Sequence, residues 1–514
     1  MAELTAADVA VVIPTRERWD ILGLTLSSLS RQSVAGFETI VVVDGTDQVV
    51  PPLEAGSVLV KRRAGPAAAR NAGAASTRRP VVVFLGDDTI PAADLVERHL
   101  GAHLRHPEVE AAAVGFVGWH DSVSANKLNA WLEWSGTQSW YDALGPEAEQ
   151  EVSHWHFYTS NVSLKRELLF RCGGFDEDFP YAAFEDIECG LRLSRLGLRL
   201  YYEPKAVCRH LHDYDWAGLE RRFASMALSE RLMVEKHPDV APGCLNRMKD
   251  ATVGPALPVE RFVDTAPSRL LGLNRLLRHQ ANRHYHRRLS PTYQAAWERA
   301  AELCDLRRYL GERYDSARLV YGSRDPGEPT TEATTAERSE EDRLFDLARR
   351  CLSDVTGEAR EHLRGHLSPG SEVLEFGCGI GSDGLRLAGE GFRVHFADQP
   401  GLPLSYLKWR LADRGLRSPV YEVGVDTLPP GLDAVFCLDG SGPEHPPGEL
   451  LGRMAGLAPT VVLRVTSGMP EPSSEPIGPH GATVGARLAA RQELSDGSRL
   501  LVYRGQPVGP APPG

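Results

Sequence analysis

Nowhere in the 514 residues does an apolar run approach the 18 or more needed to cross a bilayer, so no membrane-spanning helix is expected. Cysteine is sparse and scattered: eight residues, at 172, 189, 208, 244, 304, 351, 378 and 437, with no C-x-x-C pair. That spacing argues against a disulfide framework or a zinc site and suits a reducing compartment. Positive charge is also short, with 57 Lys+Arg against 69 Asp+Glu and a formal net charge of −12. General nucleic-acid binding rests on many phosphate-neutralising cations and is not expected. The N-terminal MAELTAADVAVVIP lacks a basic n-region and runs straight into a strand-like segment, so the expected chain has no signal peptide and is cytoplasmic.

What is present has the balance of a globular protein, 42% hydrophobic and 25% charged. At about 150 residues per domain, the length implies roughly three units. The β-branched runs VAVVIP (9–14), ETIVVVDG (38–45), SVLVKR (57–62) and PVVVFLGDD (80–88) alternate with helical patterns such as DILGLTLSSLSRQ. That alternation predicts a parallel α/β sheet, whose functional residues gather at the carboxyl ends of strands. Thr15, Arg16, Asp44, Asp87 and Asp88 all fall there.

The predicted boundaries are an α/β domain over 1–215, a helical extension over 216–321, a linker over 322–342, a second α/β domain over 343–505 and a disordered tail over 506–514. The linker is polar, acidic and without periodicity.

The pair Asp87-Asp88 closes an apolar strand. Adjacent carboxylates there can hold a divalent cation through hard oxygens, although surface turns use Asp in the same way. The context supplies more: GPAAARNAG (65–73) precedes that strand, and GGFDEDF (173–179), AFEDIECGLRLSRLG (183–197) and YYEPKAVCRH (201–210) follow it. Taken in order, VVIPTR, VVVDG, AARNAG, FLGDD and GGFDE…EDIECGLR…H make the first 215 residues resemble the family-2 glycosyltransferases of GT-A fold.

That resemblance implies a nucleotide-sugar donor, a UDP- or dTDP-sugar, and a glycan, lipid-linked or natural-product acceptor. It places Pro14, Thr15 and Arg16 at the nucleobase, Asp44 on a base N–H, Arg70 near base and diphosphate, and Asp87 near the ribose. Asp88 and His210 become ligands of Mn²⁺ or Mg²⁺, with His212 close enough to compete. Glu185-Asp186 becomes the catalytic pair, with Asp186 the general base that takes the acceptor proton during an inverting attack. The same acids could instead cap the following helix.

Two departures from the family pattern are Val43 before Asp44 and Gly86 before Asp87-Asp88, where acids are usual. On the acceptor side, Trp155 and Asn161 are candidates. Of the other tryptophans nearby, Trp119, Trp131, Trp134 and Trp140, the near-helical spacing of 131 and 134 favours core packing.

A second constellation is VLEFGCGIGSDGLRLAGEGFRVHFADQ (373–399), reading strand, glycine loop, helix, strand, acid. Gly379, Gly381 and Gly384 satisfy the dinucleotide pattern G-x-G-x-x-G. An acid within the strand and the shifted glycines instead resemble the Rossmann-like S-adenosylmethionine-dependent methyltransferases. That resemblance assigns Glu375, Gly377, Gly379, Gly381 and Asp398 to the cofactor, and ARQELSDGSRLLVYRG (490–505) to a closing antiparallel hairpin. His445 or Asp439 could act as base, or be ordinary loop residues.

Residues 268–288 read as a basic amphipathic helix, either a peripheral membrane contact at the inner face of the membrane or a helix packed between domains. The leading expectation is a glycosyltransferase fused to a methyltransferase. The alternatives are a glycosyltransferase with an inert second domain, or a non-enzymatic scaffold. Composition leaves the oligomeric state open.

Overall fold

The computed structural model describes residues 4–46, 48–53, 57–137, 148–254, 275–321, 339–439, 446–472 and 486–505, with Tyr141, Leu144 and Val263. The chain divides into two compact units, residues 1–304 with 315–329, and residues 305–314 with 330–514.

The first unit is built on strands β1 (Val9–Thr15), β2 (Glu38–Asp44), β3 (Ser57–Lys61), β4 (Val81–Leu85), β5 (Thr89–Pro91), β6 (Ala111–Trp119), β7 (Gln150–Val152), β8 (Asn161–Lys165) and β9 (Arg199–His210). Their order is β3-β2-β1-β4-β8-β6-β9-β5, with β7 paired to β9. β3, β2, β1 and β4 are parallel, as the sequence pattern predicts. The sheet as a whole is mixed, and this corrects the all-parallel expectation. β8 runs antiparallel between β4 and β6, and β5 and β7 pair antiparallel with β9. Period and composition locate a strand but do not give its direction, which the connections decide.

Burial on both faces explains the continuous apolar strands. In β1, Ala10 and Val12 join one core layer, while Val9, Val11 and Ile13 join the other. β4 divides in the same way, with Val82 and Phe84 on one side and Val81, Val83 and Leu85 on the other. Side-chain alternation along a strand produces this split.

β9 pairs with β6 in parallel, but the register breaks: Gly115 faces Glu203 and Phe116 faces Val207, so Pro204, Lys205 and Ala206 stand outside the ladder. Beyond that bulge β9 runs on to His210, opposite Trp119 of β6 and Thr89 of β5. The expected helical stretch contains helices Trp216–Lys236, Gly243–Thr252 and Arg275–Leu310. Trp131, Phe223, Tyr285, Tyr293 and Trp297 form a separate aromatic core there. Of the basic amphipathic stretch, residues 268–274 lie outside the described residues, as do 322–338 of the linker and the tail 506–514.

The second unit carries β10 (Glu372–Phe376), β11 (Arg393–Asp398), β12 (Val420–Glu422), β13 (Ala434–Cys437), β14 (Thr460–Val465), β15 (Arg487–Glu493) and β16 (Arg499–Arg504). The order is β12-β11-β10-β13-β14-β16-β15. β12, β11, β10, β13 and β14 are parallel, while β16 is antiparallel to both β14 and β15. Among the described residues, no helix is long and apolar enough to cross a membrane.

Candidate functional site

The motifs of the first unit converge because side chains in each hold the backbone of another. Asn71, in the helix Pro66–Ser76, accepts from the Phe175 amide at 2.8 Å and donates to the Phe175 carbonyl at 2.9 Å. The Phe175 ring packs edge-on to Phe84 of β4, with centroids 5.1 Å apart, and the Arg70 guanidinium lies 5.6 Å from its centre. AARNAG, FLGDD and GGFDE therefore meet at one aromatic ring.

The strand ends form the first part of the site. The Thr15 hydroxyl donates to Asp87 at 2.7 Å, and Thr25 donates to the Asp87 carbonyl at 2.8 Å. Asp87 and Asp88 are both buried. Arg18, which the sequence reading missed, bridges them. Its Nε reaches Asp87 at 3.1 Å, its Nη1 reaches Asp88 at 2.8 Å, and its Nη2 makes a further short contact with Asp87. Burial raises the proton affinity of Asp88, but His210, His212 and Arg18 outweigh it and hold the carboxyl well below its usual range. Asp87 ends above its usual value, pushed by burial and by Asp88 against the pull of Arg18.

His210 Nε2 lies 3.1 Å from Asp88 Oδ1, and His212 Nδ1 lies 3.7 Å from Oδ2. The His210 ring stacks on Trp119, 5.1 Å between centroids with planes at 11°, which fixes its direction. Trp119 is thus a supporting residue for His210. A carboxylate with imidazole nitrogens beside it suits Mn²⁺ better than Mg²⁺, which favours an all-oxygen shell. Among the described residues, however, no group of three or more His, Cys, Asp or Glu side chains is arranged to hold a metal alone. The residues fit a cation that takes part of its shell from phosphate oxygens and water.

Asp44 is already engaged. Its carboxylate accepts from the Ala64 amide at 2.7 Å and from the Gly65 amide at 2.9 and 3.1 Å. It anchors the turn into the helix that carries Arg70, and two oxygens with about four lone-pair sites leave room for one more donor. Pro14 is half-buried and Arg16 exposed beside it.

Arg70 Nη1 pairs with Glu185 Oε1 at 2.7 Å, with both side chains almost wholly buried. Among the described residues, Arg70 Nε and Glu185 Oε2 have no hydrogen-bond partner. Burial, reinforced by Asp186 and opposed by Arg70, pushes Glu185 up to about 7. Asp186 is only half-buried. It accepts from the Ile187 amide at 2.8 Å and the Thr159 amide at 3.3 Å, with the Thr159 hydroxyl at 3.5 Å. Burial raises its proton affinity too, against the pull of Arg70 and those amides. The residue before the pair, Phe184, has φ 66°, an unusual conformation for a bulky side chain. Strain at that position orients the first turn of helix Glu185–Arg195.

The acceptor-side expectations divide. Asn161 is fully buried; it donates to the Phe116 and Ala206 carbonyls at 3.2 and 2.8 Å and meets His99 Nε2 at 2.8 Å. Its amide thus joins β8, β6 and β9. Trp155 is half-buried in the turn His154–His156, its ring 5.2 Å from that of His154. Trp131 is fully buried and donates to Asn282 at 3.0 Å. Trp140 lies outside the described residues.

In the second unit Gly377, Gly379 and Gly381 have φ of 70°, 55° and 70°, a conformation that glycine adopts without steric cost. Glu375 is buried and accepts from the Gly384 amide at 3.0 Å, so the acid inside the strand anchors the helix that follows. Asp398 accepts from the Gly379 amide at 2.5 Å and the Gln399 amide at 2.7 Å, closing the loop against β11. Arg410, fully buried, donates to the Ile380 carbonyl at 2.6 Å and holds the other side of the loop. Asp439 pairs with Arg350 at 2.9 Å, and His445 lies outside the described residues.

Residues 10–175 match the family profile Glycosyl transferase family 2. The chain is 30% identical over 267 residues to the validoxylamine A glucosyltransferase of Streptomyces hygroscopicus subsp. jinggangensis, covering 46% of this chain and 62% of that one. It is 29% identical over 242 residues to the pre-mycofactocin glycosyltransferase of Mycobacterium tuberculosis, covering 45% and 48%. The chain therefore spans between about half and three-fifths of the length of these relatives. Among solved structures, the mannosyltransferase PcManGT from Pyrobaculum calidifontis, in complex with GDP-Man and Mn²⁺, overlaps with a TM-score of 0.37 at 16% identity. That match covers 57% of this chain and 87% of the other.

Proposed function

We propose that the first unit is an inverting glycosyltransferase that moves a sugar from a nucleoside-diphosphate sugar to a hydroxyl of a natural-product or glycan acceptor. The observation that carries this reading is the convergence, from the helices Pro66–Ser76 and Glu185–Arg195, of a half-buried carboxylate, Asp186, with a buried Arg70–Glu185 pair that keeps one donor and one acceptor unused. Buried polar atoms are almost always paired, so unused ones beside a base are suited to a polar substrate. The family match over residues 10–175 and the names of the two relatives support the same reading.

Each group has a role set by its surroundings. Arg16 and Asp44 face the nucleobase, and Thr15 and Asp87 the ribose. Arg70 directs its free Nε toward the diphosphate or sugar hydroxyls. Asp186 takes the proton from the attacking hydroxyl, and its raised proton affinity makes it a better base than an ordinary aspartate. Asp88 and His210 would hold a divalent cation, which would neutralise charge on the departing diphosphate. In a thermal-shift series of the full chain, UDP, dTDP or GDP is expected to raise Tm only when Mn²⁺ or Mg²⁺ is present. No shift with any nucleotide–metal pair would sink the reading.

The second unit supports a further reading, an S-adenosylmethionine site. It is favoured by the glycine loop closed on Asp398 and by β16 inserted antiparallel between β14 and β15. Asp398, at the carboxyl end of β11, retains acceptor capacity for ribose hydroxyls. Calorimetry with S-adenosylhomocysteine on the full chain should show 1:1 binding that Asp398→Ala abolishes. Absence of binding would leave this unit without a cofactor role.

A further inference from the structure

Just beyond the carboxyl end of β2, where Asp44 stands, one cation is in unusual company. Arg63 is half-buried, and its guanidinium lies 3.8 Å from the centre of the Tyr321 ring. Among the described residues no carboxylate lies within ion-pair distance of Arg63; burial and the neighbouring Arg16 lower its proton affinity. Its backbone abuts the tip of β2, where a Cβ added to Gly45 would come within 2.6 Å of the Arg63 nitrogen. Arg63 therefore stands against the Asp44-Gly45 turn.

Tyr321 arrives from far along the chain. Helix Ser316–Tyr321 is fastened to the first unit at several points. Arg62 pairs with Asp315 at 3.2 Å, the Ser316 hydroxyl donates to the Glu177 carbonyl at 2.7 Å, and the Tyr321 hydroxyl donates to the Pro180 carbonyl. Pro180 also touches the loop that Asp44 anchors: a Cβ on Gly65, where φ is 93°, would lie 2.8 Å from the Pro180 oxygen. Asp44, Gly65, Pro180, Tyr321 and Arg63 thus form a closed chain of contacts, and Tyr181 and Arg16 are electrostatic neighbours of Tyr321.

A guanidinium is planar, and with one face held on an aromatic ring it can offer the other to a second flat π-system. Arg16 is the second cation here, exposed and 3.8 Å from Glu17, whereas Arg63 has no such partner among the described residues. We propose that Arg63, held flat by Tyr321, is the platform on which the nucleobase of a nucleoside-diphosphate donor stacks beside Asp44. Tyr321 is then a positioning residue acting through Arg63. The donor site therefore includes a segment about 145 residues beyond the end of the family match at residue 175. This rests on the donor reading given above.

The test is calorimetric titration of UDP, dTDP and GDP, with Mn²⁺, into the full chain carrying Arg63→Lys, Arg63→Ala, Tyr321→Phe or Tyr321→Ala. Circular dichroism melting checks each fold. Tyr321→Phe keeps the ring and should bind as the unsubstituted protein does, whereas Tyr321→Ala should weaken nucleotide binding about tenfold. Arg63→Lys, which keeps charge but not planarity, should lose as much as Arg63→Ala. In transfer assays the donor KM should rise while kcat at saturating donor and the acceptor KM hold. Equal binding by Tyr321→Ala and the parent overturns the proposal, as does an equal loss in Tyr321→Phe, which would make the Pro180 hydrogen bond the important element. If Tyr321→Ala fails to fold, Arg63→Lys decides alone, and parental affinity in that variant overturns the proposal. If the parent protein binds no nucleoside diphosphate, the donor reading falls and this one with it.

Discussion

Replacing Asp186 with Asn is expected to lower kcat by about 10²–10⁴-fold while leaving nucleoside-diphosphate affinity nearly unchanged. Asp186 is the half-buried member of its pair, and its contacts are to the Ile187 and Thr159 amides rather than to a cation. Asn is nearly the same shape and keeps the amide contacts, but it cannot accept a proton. The loss should therefore appear in the chemical step and not in donor binding. Steady-state kinetics paired with calorimetry separates the two. A variant with normal kcat would remove Asp186 from the base role, and one that loses nucleotide affinity and kcat together would make it a binding residue. Glu185→Gln gives a useful contrast, because Glu185 faces Arg70 and its effect should be mainly structural.

The second large effect concerns that pair. Arg70→Met leaves Glu185 buried without its partner, and breaking a buried ion pair from one side costs about 3–5 kcal/mol. The size should depend on pH. Glu185 has an ordinary value of 4.5 and is pushed up to about 7 in the fold. The folded chain therefore holds this proton more tightly than the unfolded one does. Its contribution to stability is full below about 4.5 and is lost as pH rises through about 7. Arg70 is the cation that holds this value down. Without it the carboxyl stays neutral at pH 5 at little added cost, whereas at pH 8 it must either ionise unpaired or keep a proton that the solution would take. Urea unfolding should show a smaller loss at pH 5 than at pH 8, and the double substitution Arg70→Met with Glu185→Gln should recover part of it. An identical loss at the two pH values would mean that the missing arginine stem, not the unpaired carboxylate, sets the cost.

Much of the first unit was legible because its strands end in chemistry. VVIPTR, VVVDG and FLGDD each run from fully buried apolar residues to a polar tip, and the structure places Thr15, Asp44, Asp87 and Asp88 at neighbouring strand ends. What sequence could not supply is direction and partnership. β8 reads as an ordinary strand, yet it lies antiparallel between β4 and β6, and so Asn161 is spent on backbone carbonyls. Arg18 stands two residues after Arg16 with no signal of its own; only the folded strand end shows it spanning two carboxylates. Thr159 and Trp119 support Asp186 and His210 from remote positions, and no local pattern announces a hydroxyl or a ring in that role. Trp131 and Trp134, at helical spacing, were correctly read as packing residues, because periodicity reports burial directly.

The bulge in β9 has a consequence for how this site tolerates change. His210 ends β9 and His212 lies two residues on; both imidazoles come to Asp88, at 3.1 and 3.7 Å, while the Leu211 amide between them donates to the Asp88 carbonyl at 2.7 Å. Alternation along a strand makes the count of looped-out residues at 204–206 a phase setting. Exchanging the exposed Lys205 for another residue keeps the phase, but adding or removing one residue there would turn the imidazoles away and offer leucine in their place. At this point in the chain the quantity under constraint is a length, which no single conserved letter would reveal.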